Sequence, residues 1–204
     1  MISHHRKFIF LHISKCGGTS IESVFNVWVN SYSKNYFYVG ENYQHSFLNQ
    51  ILDKYPSCSN YFKFAFIRNP FSRILSEYKY AKKESNYTNN TKSKMPLNLS
   101  FKQFCQNLDN NLDQYCYKFH DTSLCDYLLN EQGELTVDFV GRLENFQKDF
   151  DIICDKIRIS HQQLPHTNPT KHKHYTEYYD DETQAIVAEK YAKDIEYFGY
   201  EFGE

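Results

Sequence analysis

A chain of 204 residues, 41% hydrophobic and 24% charged, has the length and composition of one globular domain with a sizeable core. Its net charge of −2 gives no reason to expect a general nucleic-acid or membrane-surface binder, so any anion site must be local. No run approaches the roughly 18 apolar residues of a membrane span, and the N-terminal "HHRKFIFLHI" is too short, and too lacking in a cleavage site, for a signal peptide; the chain reads as soluble and cytoplasmic.

Residues 7–13 are predicted as a buried strand that ends at the turn of Gly17 and Gly18. A helix follows, with Ile21, Val24, Phe25 and Trp28 at i, i+3, i+4 and i+7, and Thr19 with Glu22 fits a capping box at its start. A second strand is expected at Tyr36–Val39, then a helix over Tyr43–Tyr55 with Phe47, Leu48, Ile51 and Leu52 inward. "YFKFAFI", 61–67, is the central-strand candidate. After it Asn69 caps a helix over 71–82 and Pro70 takes its first position. Phe71, Ile74, Leu75 and Tyr78 form that helix's core stripe, leaving Ser72 and Ser76 together on another face.

Residues 83–98 are polar and aperiodic and read as a mobile loop. A helix over Phe101–Leu108 is capped by Ser100 with Gln103, and helix is expected to continue to about Phe119 before irregular chain around Gly133. A strand at 136–140 precedes a helix marked by Phe146, Phe150, Ile153 and Ile157. Finally Asp180 caps one helix, with Val187, Tyr191, Ile195 and Phe198 inward and Gly199 as its stop. Strands alternating with helices imply an α/β fold with a central, mainly parallel sheet whose ligands lie at the carboxyl ends of its strands. The six cysteines show no CxxC spacing and read as reduced, mostly buried thiols. The sequons at Asn86, Asn89 and Asn98 are what an Asn-rich chain produces by chance.

Two motifs fall at those strand ends. In "SKCGGTS", Gly17 and Gly18 permit a tight turn with inward amides, Thr19 and Ser20 add hydroxyls, and Lys15 adds a cation before the glycines rather than after them as in an NTPase loop. No acidic residue ends a second apolar strand to hold magnesium, which disfavours a metal-dependent NTPase. The bland alternative is a plain strand-to-helix turn. In "RNPFSRILS", Arg68 offers a forked donor and Ser76 a hydroxyl for one anion; the alternative is a surface arginine and a polar helix face, with Arg73 paired to Glu77. Two anion devices at one end of a sheet suit a ligand with two separated anionic groups.

"FIFLHISKCGGTSIE" together with "YFKFAFIRNPFSRILSEY" resembles the paired signatures of sulfotransferases that use 3′-phosphoadenosine-5′-phosphosulfate (PAPS), particularly the carbohydrate type. The resemblance continues through "DFVGRLENFQKDF" and "LPHTNPTKHKHYTEYYDDET" and is weakest over 83–125. It implies a three-layer, P-loop-like fold over a single domain, 1–204. Lys15, Gly17, Gly18, Thr19 and Ser20 would then meet the 5′-phosphosulfate, Arg68 and Ser76 the 3′-phosphate, and Lys171 and Lys173 a closing cofactor loop. His45, in "NYQHSFLNQ", matches the position of the base that takes the proton of an acceptor hydroxyl, the acceptor being a carbohydrate. No metal is implied. Cys16 and Ser14 stand where such loops often carry Thr and Pro. His12 reads as a satisfied core or cleft residue, Glu144 as structural, and Arg142 as either structural or acceptor-orienting. The rival readings are an atypical P-loop nucleotide kinase and a non-catalytic nucleotide- or glycan-binding protein of the same fold.

Overall fold

The computed structural model describes residues 1–25, 45–85, 95–116, 120–165 and 173–204. It is a mixed α/β fold around a four-stranded, mostly parallel sheet flanked by helices. The chain divides into two compact units: 1–68 with 126–169, and 69–125 with 170–204. The expected strand at Tyr36–Val39, together with Trp28 and Lys171, lies outside the described residues.

The first unit holds the sheet, in the order β1 (Ile2–Ser3), β2 (Phe8–Leu11), β3 (Phe62–Ile67), β4 (Phe139–Arg142). β1 is an antiparallel edge that the sequence pattern does not announce; β2, β3 and β4 run parallel, with Leu11 opposite Ala65 and Ile67 opposite Arg142. β2 is buried throughout, which is why its sequence is a continuous apolar run rather than an alternating one. Side chains nevertheless alternate between faces, and one face is aromatic: Phe10 stacks on Phe64 at 5.1 Å and on His12 at 5.9 Å. Phe25, just past α1 (Gly18–Val24), packs on Phe8 at 5.2 Å and on Phe150 of α7 (Phe146–Lys156) at 6.3 Å. Burying each such ring stabilises the unit by about 2 kcal/mol.

Two boundaries in this unit differ from the sequence expectation. β4 begins at Phe139 rather than 136, because Thr136 turns back to the Leu128 carbonyl through its amide (2.8 Å) and hydroxyl (3.0 Å). Asp138 then spends its carboxylate on the Lys63 amide at 2.7 Å. α2 is shorter than expected, Leu48–Lys54, since the Phe47 amide is taken by the Gln50 side chain at 3.1 Å and the chain before it is drawn off toward β2.

The second unit is helical. Asn69 accepts from the Phe71 amide at 3.1 Å and starts α3 (Pro70–Ser85), which carries Lys83, Glu84 and Ser85 of the expected loop as helix. Phe71, Ile74, Leu75 and Tyr78 join Phe101, Phe104, Val187 and Tyr191 in one apolar cluster. α4 (Phe101–Gln106) begins with the expected reciprocal pair: Ser100 accepts from the Gln103 amide at 3.2 Å, and Gln103 accepts from the Ser100 amide at 2.9 Å. α5 (Leu108–Tyr115) and the short α6 (Leu124–Leu128) follow. Arg73 is 2% exposed and donates to the His120 carbonyl at 3.2 Å, while Glu77 holds the His120 ring at 2.8 Å.

The single expected C-terminal helix is two, α8 (Asp181–Lys190) and α9 (Ala192–Phe198), interrupted at Tyr191. Tyr191 is buried, and its phenol pKa is pushed up by that burial. Past the break, the buried Asp194 accepts the first two amides of α6, Leu124 at 2.7 Å and Cys125 at 2.9 Å. Gly199 closes α9 in a left-handed conformation, φ 63°. All six cysteines are free thiols, Cys116 alone being half-buried rather than buried. No helix among the described residues is long and apolar enough to cross a membrane.

At the start of α8, Asp180 accepts from the Thr183 amide at 2.9 Å and from Lys102 at 2.7 Å. The Lys102 contact, then the Thr183 bonds, hold its carboxyl down at about 2, below the usual 3.8. A folded-state pKa below the unfolded one gives stability that is present above the unfolded value and lost as pH falls through the folded one. Asp180→Ala is therefore expected to lower the melting temperature near neutral pH by roughly 2–4 °C. The difference from wild type should shrink below about pH 4 and vanish near pH 2, as followed by circular dichroism.

Candidate active site

The loop between β2 and α1 is held in an unusual backbone shape. Lys15 (φ 62°) and Gly17 (φ 83°) are both left-handed, with Cys16 between them. For lysine this region costs on the order of 1 kcal/mol, and the Lys15 carbonyl is engaged by the Arg68 guanidinium, Nη1 at 3.3 Å. Cys16 closes the turn: its amide bonds the Ile13 carbonyl at 3.4 Å, its Sγ meets the Ser14 carbonyl at 3.4 Å, and the residue is 1% exposed. Its place in the loop is that of a buried turn-closing residue.

The two glycines are required for separate reasons. A Cβ on Gly17 would sit 2.6 Å from the Phe146 ring and 2.8 Å from Leu143, and a Cβ on Gly18 would overlap the His12 ring. Both therefore serve close approach from below, and Gly17 also serves its positive φ. Gly17, not Thr19, is the helix N-cap, and no side chain caps α1. The capping box expected of Thr19 and Glu22 does not form, because Glu22 is fully buried and used elsewhere.

Glu22 Oε1 lies 2.6 Å from His12 Nδ1, with the two residues 0% and 7% exposed. His12 in turn receives His45: the His45 Nδ1 is 2.9 Å from the His12 carbonyl oxygen, and the two rings meet edge-to-face at 4.9 Å and 72°. A carbonyl only accepts, so His45 Nδ1 carries the proton, and in the neutral ring Nε2 carries the lone pair. This is the state a general base needs. The Glu22–His12 pair left no mark that sequence reading used. The available signal was a glutamate at the inward phase of α1 facing a histidine at a strand end.

The first unit thus brings Lys15, Gly17, Gly18, Thr19, Ser20, Arg68 and His45 around the carboxyl ends of β2 and β3, with Ser20 buried and Thr19 exposed. Arg142, opposite Ile67 at the same end of the sheet, is half-buried, and its amide donates to Asp149 at 2.7 Å; Glu144 is exposed. Ser76 lies in the second unit, half-buried on α3. Lys173 is in that unit too, exposed, with Nζ 2.9 Å from Glu177 Oε2, a hydrogen bond that raises its pKa. Among the described residues no group of His, Cys, Asp and Glu is arranged to hold a metal ion.

A cationic glycine loop beside an imidazole with its lone pair on Nε2 suits transfer of an anionic group to a hydroxyl. The family comparison agrees with that class of chemistry. A family model described as the sulfotransferase family matches residues 1–201, and the chain belongs to that family. Among solved structures it is similar to a sulfotransferase from Alicyclobacillus acidocaldarius, at 14% identity over 96% of each chain and a TM-score of 0.48. No curated protein matches it.

Gly17→Ala combines a left-handed backbone with a clash against Phe146. It is expected to destabilise the protein by about 1–3 kcal/mol, read as a lower urea midpoint at unchanged m-value.

Proposed function

We propose that the chain is an enzyme that transfers a sulfuryl group from PAPS to the hydroxyl of a carbohydrate acceptor, residues 1–204 acting as one catalytic domain. The observation that carries the reading is His45, whose Nδ1 is bound to the His12 carbonyl at 2.9 Å so that Nε2 is the basic nitrogen. His12 is also the ring that packs on Gly18, which makes the base a neighbour of the glycine loop.

The residues present fit the donor nucleotide. The loop offers a lysine, two hydroxyls and two glycines whose side-chain positions are closed from beneath, and a strand-end arginine adjoins it. PAPS, when bound, supplies an activated sulfuryl group on a phosphate leaving group, and adenosine 3′,5′-bisphosphate is the by-product. Lys15, the amides of Gly17 to Thr19 and the Ser20 hydroxyl would hold the charge of the 5′ end, since fixed donors cost no reorganisation as charge develops. Arg68, with Ser76, takes the 3′-phosphate, where a guanidinium fork matches the oxygens of a phosphate group. The motif resemblance assigns Lys171 and Lys173 to cofactor binding as well. His45 Nε2 accepts the proton of the acceptor hydroxyl, and the Nδ1 bond to a main-chain oxygen keeps the ring oriented while it does so. The assignments of Ser76, Lys171 and Lys173, and of a carbohydrate acceptor, rest on the motif resemblance.

Thermal-shift titration separates this reading from a kinase: adenosine 3′,5′-bisphosphate should raise the melting temperature more than ADP, because a ligand stabilises in proportion to its affinity. A preference for ADP overturns it. Lys15→Ala and Arg68→Ala should each lose turnover by about 10²-fold or more, the second chiefly through a higher KM for PAPS. His45→Ala should keep the thermal shift with bisphosphate and lose kcat by about 10²–10⁴-fold; full activity in that variant removes His45 as the base.

A further inference from the structure

We infer that Glu22, acting through His12, is a positioning residue for His45. The inference deepens the proposed function, since it rests on His45 being the base, but the geometry that carries it is independent of any ligand.

Gly18 and Glu22 are one helical turn apart on α1 and so face the same way. Both meet His12, from different sides. The Cδ2, Nε2 and Cε1 atoms of its ring lie against Gly18 so closely that a Cβ there would overlap them. Its Nδ1 is gripped by the Glu22 carboxylate at 2.6 Å. A carboxylate accepts, so His12 donates from Nδ1, and with both partners more than nine-tenths buried the bond is charge-assisted in a dry setting. The ring can neither tilt nor flip without breaking the bond or striking α1.

His45 is docked on this one residue twice. Its Nδ1 donates to the His12 main-chain oxygen, and its ring meets the His12 ring at 4.9 Å and 72°. A displacement of His12 therefore moves both of these contacts, and with them the direction of His45 Nε2. The arrangement is a carboxylate acting on the base at one remove, with a second imidazole as the intermediate part. Misplacing a catalytic group by about 1 Å costs on the order of 10²-fold in rate. That is the loss expected in kcat for Glu22→Ala, whereas KM for PAPS should hold.

The test pairs kinetics with nitrogen NMR. In wild type, long-range proton–nitrogen spectra at mildly alkaline pH should show His45 and His12 each protonated on Nδ1, with His45 in one tautomer. Glu22→Ala should average the His45 tautomers and lower kcat. Glu22→Gln, which keeps an acceptor at the same place, should restore the single tautomer and most of the rate; a purely structural role would follow melting temperature instead. Wild-type His45 protonated on Nε2 overturns the inference, as does Glu22→Ala with wild-type kcat and unchanged His45 shifts. If Glu22→Ala does not fold, the wild-type and Glu22→Gln spectra decide. If wild type transfers no sulfuryl group while binding bisphosphate, the proposed function fails, and the nitrogen shifts still decide whether Glu22 orients His45.

Discussion

Parallel pairing of β2 with β3 places two functional connections at the same end of the sheet. With Leu11 opposite Ala65, the chain reaches Lys15 four residues beyond the end of β2 and Arg68 one residue beyond the end of β3, and the guanidinium meets the Lys15 carbonyl at 3.3 Å. An antiparallel pairing would have put these residues at opposite ends. A one-residue slip would have turned the Phe8, Phe10 and Phe64 face away from α1 and α7. The aromatic layer therefore fixes the register, and the register brings the two cationic residues together.

The same layer acts on the loop from beneath. Phe146 fills the space under Gly17, and His12, which continues the stack through Phe10 and Phe64, fills the space under Gly18. Core packing and loop shape are thus one problem, because the last member of the aromatic row is also the residue on which Glu22 and His45 converge. A loop supported in this way has little freedom left to lose when it meets an anion, and less ordering cost means more of the interaction energy is available for binding.

How much of this was legible in the sequence depended on how local the cause was. The buried strands at Phe8–Leu11 and Phe62–Ile67 follow from apolar runs, and the α3 stripe of Phe71, Ile74, Leu75 and Tyr78 from helical spacing. The caps by Asn69, Ser100 and Asp180 are decided within three residues and were readable for that reason. What escaped was set by partners far along the chain. Glu22 looked like a capping residue because its true partner, His12, lies just past the preceding strand; the contact of Arg73 with the His120 carbonyl was not legible because His120 is 47 residues away. The break at Tyr191 likewise leaves the inward pattern intact, since Val187 and Phe198 stay buried on either side of it. In the candidate site, the residue types at the loop were visible, but the tautomer of His45 was not, because it is set by a main-chain oxygen 33 residues earlier.

The order of Lys15 before the glycines follows from the same constraints. Gly17 and Gly18 occupy the positions where rings press closest, so a lysine could not replace either of them. The carbonyl of Lys15 is held by a strand-end arginine, which offsets part of the cost of its left-handed backbone. The arginine–carbonyl bond thus ties the exit of β3 to the loop after β2, and two cationic residues stand at the same end of the sheet in a chain that is net negative as a whole.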